Sequence, residues 1–385
     1  MTHPLLERAR ALRSRLAAGA AETEAARRLP APLARAMGEE GFFRMLCPES
    51  LGGHAVAPRT WVETIAALSE GDPAVGWIGV TSCSTGLLTG YLDAEVSRRI
   101  LEEDPSAPLA GVFAPMGKAT VVDGGYRLTG QWKFTSGCEN ARWISGGALV
   151  IDDHTPRALP SGAPEIRSFL FRAEEAEILD TWRVAGLRGS GSHDVRVDDL
   201  FVPDDHTTCL LLDRPWCEAP VYAFPIFGLL ASGIAGVGLG VARAALDRVI
   251  EIAPEKRSRG GGKRMAESEL VQVELATAEG ELAAARAFLY ATLDESYERA
   301  MGGEALDDRD RARLRLAAAH AAKASASVVD RAYHLLGGAS IWDDEPLSRL
   351  FRDVHVMTQH VMVGTEVLKP VGRIFLGLPT DTALL

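Results

Sequence analysis

At 385 residues the chain exceeds one typical domain, so two or three folded units are expected. Hydrophobic residues at 47% and charged residues at 24% give the balance of a soluble globular protein with a large core. The formal charge of −11 excludes nucleic acid and anionic membrane surfaces as partners, because their phosphates would be repelled, but leaves room for a locally basic cofactor site. Cys47, Cys83, Cys138, Cys209 and Cys217 are scattered and lack CxxC spacing. A reducing cytoplasm is therefore expected, with neither a disulfide framework nor a metal site.

The first twenty residues, MTHPLLERARALRSRLAAGA, space Arg and Glu regularly and read as an amphipathic helix, not a signal peptide. Glu22–Glu39 continues as helix with a break at Pro30 and Pro32, and Thr60–Glu70 repeats its apolar positions at three and four. Asp72-Pro73 opens another helix, and Gly76–Leu92 is built largely of small residues. Residues 1–108 thus form a helical N-terminal domain.

From about Pro108 the pattern alternates, punctuated by the hairpin signal Asp123-Gly124-Gly125. Four further short runs, from ARWISGGALVI to HDVRVDDLFVP, complete a small antiparallel β middle domain, a barrel or sandwich over 109–215. After Pro220 four long helices are expected over 225–253, 267–302, 309–336 and 346–376, a C-terminal four-helix bundle spanning 220–385. Phe224–Ala242 carries no charge and has small-xxx-small spacing, so a membrane span is the alternative there. It runs on into RAALDRVIEIAPEKR, which has soluble helical periodicity, and reads better as the buried helix of the bundle. The fold class is α+β, mainly α.

Gly130–Gly137, GQWKFTSG, ends a strand with aromatic residues and then hydroxyls on a tight turn. Thr135 and Ser136 could hydrogen-bond the N5 and O4 edge of a flavin, and Trp132 or Phe134 could wall its ring; the plainer alternative is a locally bonded β-turn. Gly186–Val195, GLRGSGSHDV, is a Gly/Ser-rich turn in which Arg188, Ser190 and Ser192 could meet a cofactor, or simply close a loop. It is no dinucleotide fingerprint, which needs a strand before it and a helix after. Arg257–Arg264, RSRGGGKR, is a basic linker suited to a phosphate or to solvent, and Gly337-Gly338 of LLGG sits at a helix end.

Together, and in this order, GxWxFTSG, GLRGSGSxDVxVxDxFVP and LLGG with RLFRD resemble the acyl-CoA dehydrogenase-like superfamily over nearly the full chain. SGCENARW and the helix expected to carry His360 are more narrowly similar to its reduced-flavin-dependent, two-component monooxygenases. In the dehydrogenases a glutamate near the C-terminus removes the α-proton; this chain has His360 and Val361 there, and a valine cannot accept a proton. The resemblance implies a flavin-dependent monooxygenase that receives FMNH2 or FADH2 from a separate NAD(P)H:flavin reductase. With O2 it would oxygenate a small aromatic or amine-bearing substrate through a C4a-peroxyflavin. Ser136 and the Thr135 backbone would hold the flavin edge. His360 would deprotonate substrate or stabilise the peroxide, and Arg257 with Gly337 and Gly338 would hold phosphates across the boundary of a homo-oligomer, a tetramer. Members often have two further histidines where this chain has Cys83 and Ser84, and Asn140. A desaturase with its base moved to Glu251, Glu267 or Glu269, and a catalytically silent subunit, are the alternatives.

Overall fold

Two prolines divide the first helical stretch: α1 (Pro4–Ala26) ends at Arg27, and α2 (Ala31–Glu39) begins beyond Pro30. The computed structural model describes residues 2–257, 262–383 and 385. Next come α3 (Pro58–Gly71), α4 (Pro73–Leu87) and α5 (Ala94–Glu103). Asp72 caps α4 by accepting the Ala74 amide at 2.9 Å.

Strands follow as β1 (Ala110–Val122), β2 (Gly125–Thr135), β3 (Trp143–Asp152), β4 (Thr155–Pro156), β5 (Ile166–Arg172), β6 (Glu177–Leu179), β7 (His193–Pro203) and β8 (Thr207–Thr208). The Asp123-Gly124 hairpin forms as expected, with Gly124 at φ +72°. The strands make one sheet in the order β6-β7-β2-β1-β3-β5-β8, with β4 on β3, and not two sandwiched sheets. One pairing departs from the antiparallel expectation: β3 runs parallel to β1. The cause is topological. The link 136–142 starts β3 where β2 finishes, so β3 must run against β2 and with β1, and β7 already occupies the outer edge of β2.

The C-terminal helices are α6 (Ile226–Ile252), α7 (Glu269–Met301), α8 (Asp308–Leu336), α9 (Pro346–Met357) and α10 (Leu368–Phe375). Three are long as expected. The fourth is not one helix: the chain turns over 358–364 between α9 and α10, so His360 stands in a turn. Thr358 and Gln359 side chains bond to the His355 carbonyl, and His360 Nδ1 accepts the Met362 amide at 3.2 Å; these local bonds compete with the helical ladder. Helix α6 is long and apolar enough to cross a membrane, yet 89% of its apolar window is buried, and it packs on α3, α4, α8 and α9. Its glycines explain the packing. A Cβ at Gly233 would lie 2.2 Å from the Trp61 ring, and one at Gly240 would lie 2.2 Å from the Ala66 carbonyl of α3.

Candidate active site

The end of β2 carries a chain of buried hydroxyls. Gly137, at φ +73°, turns the chain after Thr135 and donates its amide to the Ser190 carbonyl at 2.9 Å. This clips the β2 end to the 186–192 loop. Ser136 Oγ accepts the Trp77 indole N–H at 3.0 Å and lies 2.7 Å from Ser192 Oγ. Ser192 Oγ in turn lies 2.7 Å from Ser190 Oγ, and Ser190 donates to the Leu187 carbonyl at 2.7 Å. All three serines are buried. The sequence singled them out separately, and the fold brings them together.

Trp77 also meets His360: their ring centroids lie 5.6 Å apart, edge to face at 70°. Ser136 and His360, far apart in sequence, therefore flank one indole. Burial, reinforced by the nearby Arg315 guanidinium, pushes the His360 pKa down to about 4, so the ring is neutral near pH 7. Its Nδ1 is occupied by the Met362 amide, which fixes the neutral ring as the Nε2–H tautomer. Arg315, itself buried, donates to the Met362 carbonyl at 3.3 Å, and burial brings its pKa down to about 10. Trp77 and Arg315 were missed by sequence reasoning. The available signal for Trp77 was one large aromatic in a helix of small residues.

The loop holding Ser190 and Ser192 is anchored from the other side by Asp353 of α9, whose carboxylate accepts the Leu187 amide at 2.6 Å. Arg352 donates to the Ala185 carbonyl at 2.8 Å, and a Cβ at Gly186 would sit 2.3 Å from the Arg352 carbonyl, so loop and helix are in backbone contact. Asp353 and Asp72 are both buried, and desolvation raises their pKa values to about 7 and about 6, against the pull of Arg349. The role of Asp353 as an anchor was invisible in RLFRD as a string.

Of the two aromatic candidates, Trp132 is fully buried in the β core, with its indole N–H on the Gly147 carbonyl at 2.7 Å, and offers no face to a ligand. Phe134 is the opposite: it is 61% exposed and edge-on to Trp182 at 6.1 Å. Thr135 is buried, with its hydroxyl on the Trp132 carbonyl at 3.1 Å. Arg188 presents a buried Nε without a hydrogen-bond partner, beside the serines. An exposed aromatic face, a hydroxyl cluster and an orphaned guanidinium nitrogen fit the edge and ring of a flavin. Arg257 is exposed and bridged to Arg264, and Gly337 and Gly338 are exposed at the end of α8, where Lys256 bonds the Leu336 carbonyl. The rest of the basic linker, 258–261, lies outside the described residues. A surface groove of about 600 Å³ lies elsewhere, between Gln131, Glu177 and Arg196.

The positions where further histidines were sought are locally satisfied. Cys83 Sγ donates to the Phe42 carbonyl at 3.2 Å, Ser84 to Val80 at 2.7 Å, and Asn140 Nδ2 to Leu29 at 2.9 Å. The relocated-base candidates are surface groups. Glu251 pairs with Arg248 at 2.9 Å, Glu267 accepts the Arg264 amide at 2.9 Å, and Glu269 is exposed on the first turn of α7.

The chain is similar to known proteins over most of its length. Residues 5–103 match the family model for the acyl-CoA dehydrogenase N-terminal domain, and 232–365 match that for its C-terminal domain. The chain is 32% identical over 338 residues to indole-3-acetate monooxygenase of Acinetobacter baumannii, covering 88% of this chain and 85% of that protein. It is 31% identical over 352 residues to the oxygenase subunit HsaA of a flavin-dependent monooxygenase of Mycobacterium tuberculosis, covering 88% and 86%. Among solved structures, XiaF from Streptomyces sp., in complex with FADH2 and glycerol, superposes with a TM-score of 0.89 at 28% identity, covering 97% of this chain and 95% of XiaF.

Proposed function

The chain belongs to the acyl-CoA dehydrogenase family, in its branch of flavin-dependent monooxygenases, and from this we propose that it oxygenates a small, electron-rich aromatic substrate with reduced FAD delivered by a separate reductase. It is the oxygenase component of such a system and uses reduced flavin. The aromatic substrate is supported by the relative that acts on indole-3-acetate, and FAD over FMN by the FADH2 complex of a structural relative. An amine-bearing substrate and FMN are the other outcomes of the tests.

The observation that carries the reading is the convergence of Ser136 and His360 on Trp77. Reduced flavin, when bound, supplies the two electrons with which one atom of O2 enters the substrate and the other leaves as water. The chain's own groups bind, orient and shield. Phe134 offers a ring wall, Ser136 a hydroxyl oxygen, and Arg188 an N–H for an anionic or carbonyl oxygen. His360, neutral and protonated at Nε2, is equipped to donate a hydrogen bond to a reacting oxygen. The role of substrate base expected from sequence does not suit it, because its Nδ1 lone pair is already engaged and its basicity is low. A homotetramer belongs to this reading. Ile341, Trp342, Val361 and Leu376 are apolar and between 64% and 76% exposed, and further copies of the chain would cover them. Five free cysteines support a cytoplasmic setting.

The test is anaerobic. Purified protein is mixed with FADH2 or FMNH2, O2 is admitted, and spectra are followed in a stopped-flow cell with candidate aromatic substrates. A transient unlike reduced or oxidised flavin, followed by oxygenated product, supports the reading. Reoxidation at the rate of free flavin under every condition sinks it.

A further inference from the structure

The proton directions along the serine chain follow by elimination. The Ser190 hydroxyl, 2.7 Å from the Leu187 carbonyl, must donate there, because a carbonyl can only accept. Ser190 then has no proton left for Ser192, so the 2.7 Å contact between them is made by Ser192 donating. By the same step Ser136 donates to Ser192 across their 2.7 Å contact. The Phe134 carbonyl, 3.5 Å from Ser136 Oγ, is too distant to compete for that proton. Trp77 N–H points at Ser136 from the other side and can only donate. The chain therefore runs one way, from Trp77 through Ser136, Ser192 and Ser190 to Leu187. At its terminus the Leu187 carbonyl also accepts the Trp182 indole N–H at 3.1 Å, and the Leu187 amide is tied to Asp353 at 2.6 Å, so the anchor itself is held.

We propose that Ser190 and Ser192 are positioning residues that lock the Ser136 proton inward, so that Ser136 offers a bound flavin a lone pair and never a proton. The reading rests on the flavin assignment made above, which it deepens. Ser136 donates once and accepts once, leaving one acceptor site. A reduced flavin carries N–H at N5 and can use that site, whereas an oxidised flavin has a lone pair at N5 and would face another lone pair. The ladder thus selects the redox state of the cofactor by hydrogen-bond polarity, through two residues that need not touch it. Ser190 and Ser192, 0% and 2% exposed, are closed to water that could offer their hydroxyls another partner and reverse the chain.

Two measurements decide this. Neutron diffraction from deuterated, flavin-free crystals reads the direction itself. Deuterons on Ser190 towards Leu187, on Ser192 towards Ser190 and on Ser136 towards Ser192 are expected; the reverse order, or a Ser136 deuteron pointing away from Ser192, overturns the proposal. Separately, the dissociation constants of oxidised and reduced flavin are measured for the wild type, Ser192→Ala, Ser190→Ala and Ser192→Thr. Ser192→Ala frees the Ser136 proton outright, and Ser190→Ala unlocks it by letting the Ser192 hydroxyl turn its own proton towards Ser136. In Ser192→Ala the ratio of oxidised to reduced dissociation constants should fall by roughly tenfold, the equivalent of about one hydrogen bond, and in Ser190→Ala it should fall in the same direction by less. Ser192→Thr, which keeps the hydroxyl, should restore it. A merely structural loss weakens both forms together and leaves the ratio fixed, which also overturns the proposal. A wild type that binds neither form removes the flavin reading, while the neutron map still decides the polarity.

Discussion

Trp77 holds His360 and Ser136 by different parts of one ring system: its edge-to-face contact with the imidazole has centroids 5.6 Å apart, and its N–H reaches the hydroxyl at 3.0 Å. Trp77→Phe separates the two. A phenyl ring keeps most of the packing but removes the donor, so stability should fall by about 1 kcal/mol. Trp77→Ala leaves a cavity as well and should cost about 3–5 kcal/mol. Denaturant titration reads both. The fraction of consumed O2 released as H2O2 should rise in Trp77→Phe, and an unchanged fraction would detach Trp77 from the chemistry.

His360 sets a pH dependence of definite sign. Its folded pKa, about 4, lies below that of an unfolded histidine, near about 6.5, so the unfolded chain takes up the proton first. The stability associated with His360 is full above the unfolded value and is lost as pH falls towards 4. His360→Gln should flatten melting temperature against pH in that window. His360→Ala should leave flavin binding nearly intact while cutting product formation, and turnover equal to wild type would remove His360 from the mechanism.

Asp353 behaves oppositely. Its folded pKa is raised to about 7, above an unfolded value near about 3.9, so its contribution is full below the lower value and is lost as pH rises through the higher. The groups facing it are Asp72, Glu24, Arg349 and the Leu187 amide. Asp353→Asn keeps an acceptor for that amide and removes the charge, so its stability relative to wild type should improve from pH 4 to pH 7, where the second number is the raised pKa. Asp353→Leu removes the acceptor. Hydrogen exchange at Leu187 should then accelerate by at least about tenfold, and unaltered protection would show that the loop is held elsewhere.

Helix α6 has no room for a methyl at Gly240, where it meets α3. Gly240→Ala would place a carbon 2.2 Å from a backbone carbonyl, which cannot rotate away, and should destabilise by about 1–3 kcal/mol or more. Gly280→Ala, where nothing lies within 4 Å, is the control and should be neutral or slightly stabilising in its helix. Thermal unfolding of the two variants checks the contrast.

Much of the architecture was legible because its signals are local. Pro30 and Pro32 break a helix by their own chemistry, and Asp123-Gly124 makes a hairpin by its own φ preference. What failed depended on distance. One long helix was expected over 346–376, but side-chain bonds from Thr358, Gln359 and His360 end it before His360. Trp132 and Phe134 stand two apart and should share a face of a regular strand. The register of β2 against β7 slips between Trp132 and Thr135, so one ring is buried and the other swings out. The serines were visible as residue types, whereas Trp77, Arg315 and Asp353 acquire their roles only once α4, α8 and α9 close around them.

Phe134 reaches its exposed position with φ at +68°, a backbone conformation that a bulky residue adopts at a cost of about 1 kcal/mol or more. Glycine would sit there without that penalty. With Phe134 as the proposed wall of the flavin ring, folding and catalysis pull this position in opposite directions. Selection for thermostability alone would drift it towards glycine and erode the ring wall, while selection for turnover would keep the aromatic side chain. Phe134 is thus a point where the two demands can be weighed separately in a laboratory lineage.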